Sequence, residues 1–166
     1  GCFRFFNIAT NAEITVEANP GTIIPGYFEK VKSAGFNRVS IGAQSFIPHE
    51  LELLERIHDP EAIGRTVEQA KNEGFDNVSV DLMFALPNQT LEDWDYSLKQ
   101  AIQLNPNHIS AYNLTFEPKT AFYSYMESGK MTPPDDERQL TLLKHTLKTM
   151  KEAGYVQYEI SNFAKS

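Results

Sequence analysis

The chain has 166 residues, of which 15 are Lys or Arg and 22 are Asp or Glu, for a formal charge of −7. That length fits one domain able to bury its own core, and the acidic balance disfavours a nonspecific grip on nucleic acid or anionic lipid. One cysteine, Cys2, excludes a disulfide framework and cannot alone hold zinc or an iron–sulfur cluster. No apolar run approaches the roughly 20 residues of a membrane span, and the N-terminal residues lack a secretory-signal pattern. A cytoplasmic setting is therefore expected.

Taken in chain order, a first strand is expected over 13–18 (Glu-Ile-Thr-Val-Glu-Ala), followed by a helix near Pro25 to Ala34. Three segments then share one pattern: Val31 to Ile41, Ala70 to Val80 and Met150 to Ile160. In each, a polar helical stretch ends at a glycine (Gly35, Gly74, Gly154), an aromatic follows, and a short β-branched or aromatic run begins. Glycine suits the position just past a helix because that residue commonly adopts positive φ. The second gap between the glycines is about twice the first, so a degenerate copy is expected between them. Leu91 to Leu104 supplies its helix, Asn105-Pro106-Asn107 its stop, and 108–115 its strand.

The result is five strands, at about 13–18, 38–43, 77–83, 108–115 and 156–161, alternating with four helical segments. Helical crossovers imply parallel pairing, in an open doubly wound sheet or a (β/α) barrel. The regular period and the lack of a Gly-rich phosphate loop favour the barrel. Both architectures bind ligands at the carboxyl ends of the strands, and here these ends carry Glu17, Gln44 and Ser45, Asp81, Asn113 and Thr115, and Glu159 to Asn162. Asp81 is flanked by apolar residues, which makes an unpaired charge there costly.

Other features read as structural. Arg56 follows an acidic helical segment, His49 to Glu55. The four histidines show no metal-ligand spacing and suit surface or capping roles. Thr90 caps a helix whose Trp94 packs inward. The stretch Tyr123 to Asp136 is a lid or an outer loop, and a helix from Asp136 to Ala153 should bury Leu140, Leu143, Leu147 and Met150.

Five motifs in one order, Ile14 to Thr22, Gly42 to Phe46, Asp81 to Thr90, Ile109 to Thr115 and Tyr158 to Ala164, give the chain a resemblance to the oxygen-independent coproporphyrinogen III oxidase-like radical SAM proteins. The wording of several motifs is more similar to the heme chaperone branch than to the true oxidases. The resemblance implies a partial (β/α)₆ barrel holding a 4Fe–4S cluster and S-adenosylmethionine, with heme or a porphyrinogen, and in the chaperone branch a recipient hemoprotein, as partners. It also implies that Glu17, Gln44, Arg56, Asp81 and Thr115 contact S-adenosylmethionine. Ala85 and Lys119 stand where many relatives have glycine. The family's Cys-x₃-Cys-x₂-Cys strand and glycine-rich strand have no counterpart here, and Cys2 does not replace them. Residues 1–166 are thus expected to be part of a radical SAM core, truncated at its N-terminal strands, without radical chemistry of its own and with an unpaired edge along Glu13 to Ala18 that favours aggregation. If the complete protein is an enzyme of this family, it is an oxidase of coproporphyrinogen III. A reading that ignores the resemblance uses Glu17, Asp81 and Glu159 as acid, base or divalent-metal ligands.

Overall fold

The computed structural model describes residues 7–165, so Cys2 lies outside the described residues. Six strands form one sheet: β1 (Thr15–Ala18), β2 (Arg38–Gln44), β3 (Asn77–Phe84), β4 (His108–Asn113), β5 (Tyr155–Glu159) and β6 (Asn162–Lys165). They are ordered β1-β2-β3-β4-β6-β5. The first four run parallel, with β2, β3 and β4 each reached by a helical crossover, as the alternation requires. The helices are α1 (Tyr27–Ser33), α2 (Pro48–Leu53), α3 (Pro60–Asn72), α4 (Leu91–Gln103), α5 (Ala121–Glu127) and α6 (Asp136–Glu152).

The repeated cap is present each time. Gly35, Gly74 and Gly154 have φ of 97°, 79° and 83°. After α1 and α3, the aromatic N–H reaches back to the helix, Phe36 to the Val31 carbonyl and Phe75 to that of Ala70. This is the paired bonding of a Schellman motif. In the degenerate copy, Asn105 takes the glycine's place at φ 54°. Ala85 and Lys119 also have positive φ, 61° and 73°, the region that favours glycine.

Two expectations need correction. The last strand does not pair with β4. The chain turns at Ile160 and Ser161, and β6 inserts antiparallel between β4 and β5, giving six strands where five were expected. The turn is stabilised locally, because the Glu159 carboxylate accepts from the Ser161 N–H at 3.1 Å and the Asn162 amide at 2.7 Å. The buried face of α6 is also rotated from the expected one. Leu142, Thr146 and Met150 are buried, Leu143 and Leu147 flank them, and Leu140 is exposed. Tyr123 to Asp136 begins inside α5, none of whose residues is buried.

The core fills the space between the sheet and its helices. Val39, Ile41, Val78, Val80, Leu82 and Ile109 alternate along β2 to β4 and pack with Ile63, Val67, Trp94 and Leu98 from α3 and α4. Alternation sends the intervening residues to the opposite face. That face is polar.

Candidate functional site

The polar face is built in rungs. Glu17 is level with Ser40, and Ser40 with Ser79 and then His108; one step along, Gly42 aligns with Asp81 and Asp81 with Ser110. Residues of β1 to β6 line an open cavity of about 730 Å³ on this face, among them Glu17, Arg38, Ser40, Asp81, His108 and Tyr158. A largely polar wall on one side of a parallel sheet, with an apolar core on the other, is the arrangement of a ligand-binding interior, since so many polar groups contribute nothing to the core.

Asp81 lies mid-strand, with β3 continuing to Phe84, so its carboxylate projects from the wall of the cavity. It is held on both oxygens, by the Ser40 hydroxyl at 2.7 Å and more loosely by that of Ser79 at 3.4 Å. Ser79 is also bonded to His108 Nδ1 at 2.8 Å, and His108 Nε2 to the Tyr158 hydroxyl at 2.9 Å. A continuous polar chain thus runs from β2 to β5. Burial, reinforced by Arg38, holds His108 below the ordinary imidazole range, so it remains a neutral relay at neutral pH.

Gln44 reaches this face by an unusual route. Its φ is 65°, and the register slips between Gly42 and Gln44, leaving Ala43 as a bulged residue. Its amide lies over Gly42, where an added Cβ would stand 3.2 Å from Nε2. A bulge that re-aims a side chain beside a site is a recurrent use of this irregularity.

Glu17 and Asp81 line the cavity, and Gln44 lies on the same side of the sheet, its amide over Gly42. Gln44, Arg56 and Thr115 are not part of the cavity wall. Arg56 sits in the loop after α2, at the carboxyl end of the sheet, where neighbouring Ile57 packs against Gly21 just past β1. Its Nε is buried without a hydrogen-bond partner, and no ion pair holds it among the described residues. Thr115 is exposed, two residues past β4. Glu159 does not join Glu17 and Asp81, being engaged in the β5–β6 turn.

A second polar cluster lies on the helical side. Glu50 of α2 is buried, and its Oε2 accepts from the Ser45 hydroxyl. Ser45 Oγ is 3.3 Å from Ser97 Oγ of α4. Burial pushes the Glu50 carboxyl above the ordinary range, with neighbouring Asp93 also raising it. His49 and Asp93 lie close enough to Glu50 to share an ion, but Asp93 is occupied as the capping partner of Thr90.

The expectation that all four histidines are surface or capping residues fails for two of them. His108 is buried in the cavity wall, and His58 is buried with Nε2 on the Ala43 carbonyl at 3.3 Å. The missed signal was period two: Arg38-x-Ser40-x-Gly42, Asn77-x-Ser79-x-Asp81 and His108-x-Ser110-x-Tyr112 mark one polar face across three strands.

Known proteins share this fold. The chain is 40% identical over 155 residues to the heme chaperone HemW of Bacillus subtilis, covering 93% of this chain and 41% of that protein. It is 43% identical over 160 residues to HemW of Escherichia coli, covering 95% and 41%. It thus spans about two fifths of the length of these relatives. The solved structure of the radical SAM enzyme coproporphyrinogen III oxidase (HemN) from Escherichia coli superposes with a TM-score of 0.87 at 28% identity, covering 99% of this chain and 38% of that one. Archaeal Elp3 from Methanocaldococcus infernus shares the fold, with a TM-score of 0.71 at 21% identity over 81% of this chain and 32% of that one. No helix among the described residues is long and apolar enough to cross a membrane. The radical SAM superfamily profile matches residues 3–101, and the chain, with its parallel sheet and polar interior, belongs to that superfamily.

Proposed function

We propose that this chain is the S-adenosylmethionine-holding part of a heme chaperone's radical SAM core, with Glu17, Gln44, Arg56, Asp81 and Thr115 as contacts to that cofactor. The identity of 40% and 43% to proteins named heme chaperones, against 28% to the oxidase, carries the choice of chaperone over oxidase.

The residues fit the cofactor. The Glu17 and Asp81 carboxylates of the cavity, with the Gln44 amide over Gly42 on the same side of the sheet, suit ribose hydroxyls and an ammonium group, and the unpartnered buried Nε of Arg56 suits a carboxylate. The 4Fe–4S cluster is different: with one cysteine in the sequence, its ligands are assigned to no residue of this chain. Bound S-adenosylmethionine with a reduced cluster supplies one-electron radical chemistry. This chain's part is to orient the nucleotide against the sheet and to keep Asp81 fixed by Ser40 and Ser79.

The test uses the complete gene product, reconstituted anaerobically with iron and sulfide. A stoichiometric heme Soret band, heme transfer to an apo-hemoprotein and no carbon dioxide release from coproporphyrinogen III are expected. Turnover of coproporphyrinogen III without heme transfer would establish the oxidase reading instead.

Gly42→Ala gives a sharper check of the site. Its φ is unexceptional and the only close neighbour is the end of the Gln44 side chain, so stability should change by less than about 1 kcal/mol. The Gln44 amide, however, must move. S-adenosylmethionine affinity in equilibrium dialysis is expected to fall roughly tenfold, the equivalent of about one lost hydrogen bond.

A further inference from the structure

We propose that the buried cluster of Ser45, Glu50 and Ser97 is a positioning device for Gln44, holding a strained turn that points its amide into the cofactor site. The proposal rests on the reading above that Gln44 contacts S-adenosylmethionine.

The turn is closed by the Ser45 N–H donating to the Ala43 carbonyl at 2.8 Å, two residues back, with Gln44 at φ 65° between them. This is the rarer form of the three-residue turn, in which a residue bearing a Cβ is strained. Such conformations persist only where the surroundings over-determine them. Here they do. The next two N–H groups are each taken by a buried hydroxyl: Phe46 donates to Ser97 Oγ at 3.1 Å and Ile47 to Ser45 Oγ at 3.0 Å. Ser45 in turn donates to Glu50 Oε2, and the Ala43 carbonyl also bonds to His58 Nε2. The turn is thereby tied to α2 and α4 at once.

Stability alone does not account for this cluster. Glu50 is 1% exposed, and its second oxygen, Oε1, has near it only the Gln89 amide, with which it makes no well-formed hydrogen bond. A buried carboxyl half satisfied in this way is usually less favourable than a well-packed apolar side chain. What the carboxyl secures is the orientation of the Ser45 hydroxyl, and through it the path of residues 43–47. Ser97 lies on the helical side of the sheet, opposite the cavity lined by Glu17 and Asp81, so it acts on a ligand there only through the turn.

The experiment measures S-adenosylmethionine dissociation constants for the complete reconstituted protein as wild type, Ser97→Ala, Gln44→Ala and the double variant, with Glu50→Gln as a second way to loosen the cluster. Amide hydrogen exchange at residues 45–47 is followed without the cofactor. Ser97→Ala is expected to weaken binding roughly five- to thirtyfold, as loss of one or two hydrogen bonds implies, and to speed exchange at Phe46. In the Gln44→Ala background the same change should add less than about twofold, because coupled residues are non-additive. Equal weakening in both backgrounds, or no weakening by Ser97→Ala and Glu50→Gln while Gln44→Ala weakens binding, overturns the positioning role but keeps the site. No effect of Gln44→Ala itself overturns the site reading, and this inference with it.

Discussion

Asp81→Asn should leave the fold intact and weaken S-adenosylmethionine binding by roughly 10- to 150-fold, the range that loss of a charge-assisted hydrogen bond implies. The asparagine has the same shape. Its oxygen can keep the 2.7 Å bond from Ser40, and its amide nitrogen can donate to Ser79, whose hydroxyl is then free to serve His108 Nδ1. The polar chain across β2, β3 and β4 therefore survives with its donors and acceptors matched. What disappears is the negative charge and one accepting oxygen on the cavity wall, both of which a ribose hydroxyl or an ammonium group would use. The dissociation constant and the thermal midpoint of the complete protein, taken together, decide the matter. A constant within twofold of wild type would remove Asp81 from the site. A collapse of the midpoint would mean that the carboxylate serves the sheet instead.

The parallel β/α succession was legible because each unit announces its own end. Glycine at positive φ followed by an aromatic is a local device, set by the chain itself, and it appears at Gly35, Gly74 and Gly154 as expected, while Asn105, followed by Pro106, takes the glycine's place in the degenerate copy. The β5–β6 hairpin was not legible for a related reason. Ile160-Ser161 contains neither glycine nor asparagine, and the turn is specified by Glu159 reaching across to Ser161 and Asn162, a contact that exists only once the turn has formed. In the site, the family motifs pointed to Glu17, Gln44 and Asp81, which the fold gathers on one face. The supporting residues were hidden because their partners are remote in sequence: Ser40 to Asp81, His108 to Tyr158, Ser45 to Ser97. His108 was hidden further by its position, since a histidine opening a strand is as easily solvated as buried.

Trp94→Ala is expected to cost about 3–5 kcal/mol, the range for deleting a large buried aromatic side chain, and to weaken the cofactor site as well. Trp94 is fully buried near the start of α4, where its ring centroid lies 5.5 Å from that of Phe84 on β3. Its indole N–H donates to Thr146 Oγ1 of α6 at 2.8 Å, and that hydroxyl donates on to the Leu142 carbonyl at 2.8 Å. One side chain therefore ties α4 to the sheet and to α6. Trp94→Phe separates the two contributions: it keeps an aromatic on Phe84 and loses the donor to Thr146, so about 1–2 kcal/mol is expected. Trp94 is the chain's single tryptophan, so circular dichroism and amide exchange of β3 and α4 are the measurements to use, on the complete protein. The consequence for the site follows from helix geometry. Ser97 is three residues along α4 from Trp94, on the same buried face, so any shift of α4 carries Ser97 away from the Phe46 N–H. Trp94→Ala should therefore speed exchange at Phe46 more than at Val80 in the centre of β3. Equal acceleration at both would mean that the helix and the sheet loosen as one unit, and that α4 does not act on the turn separately.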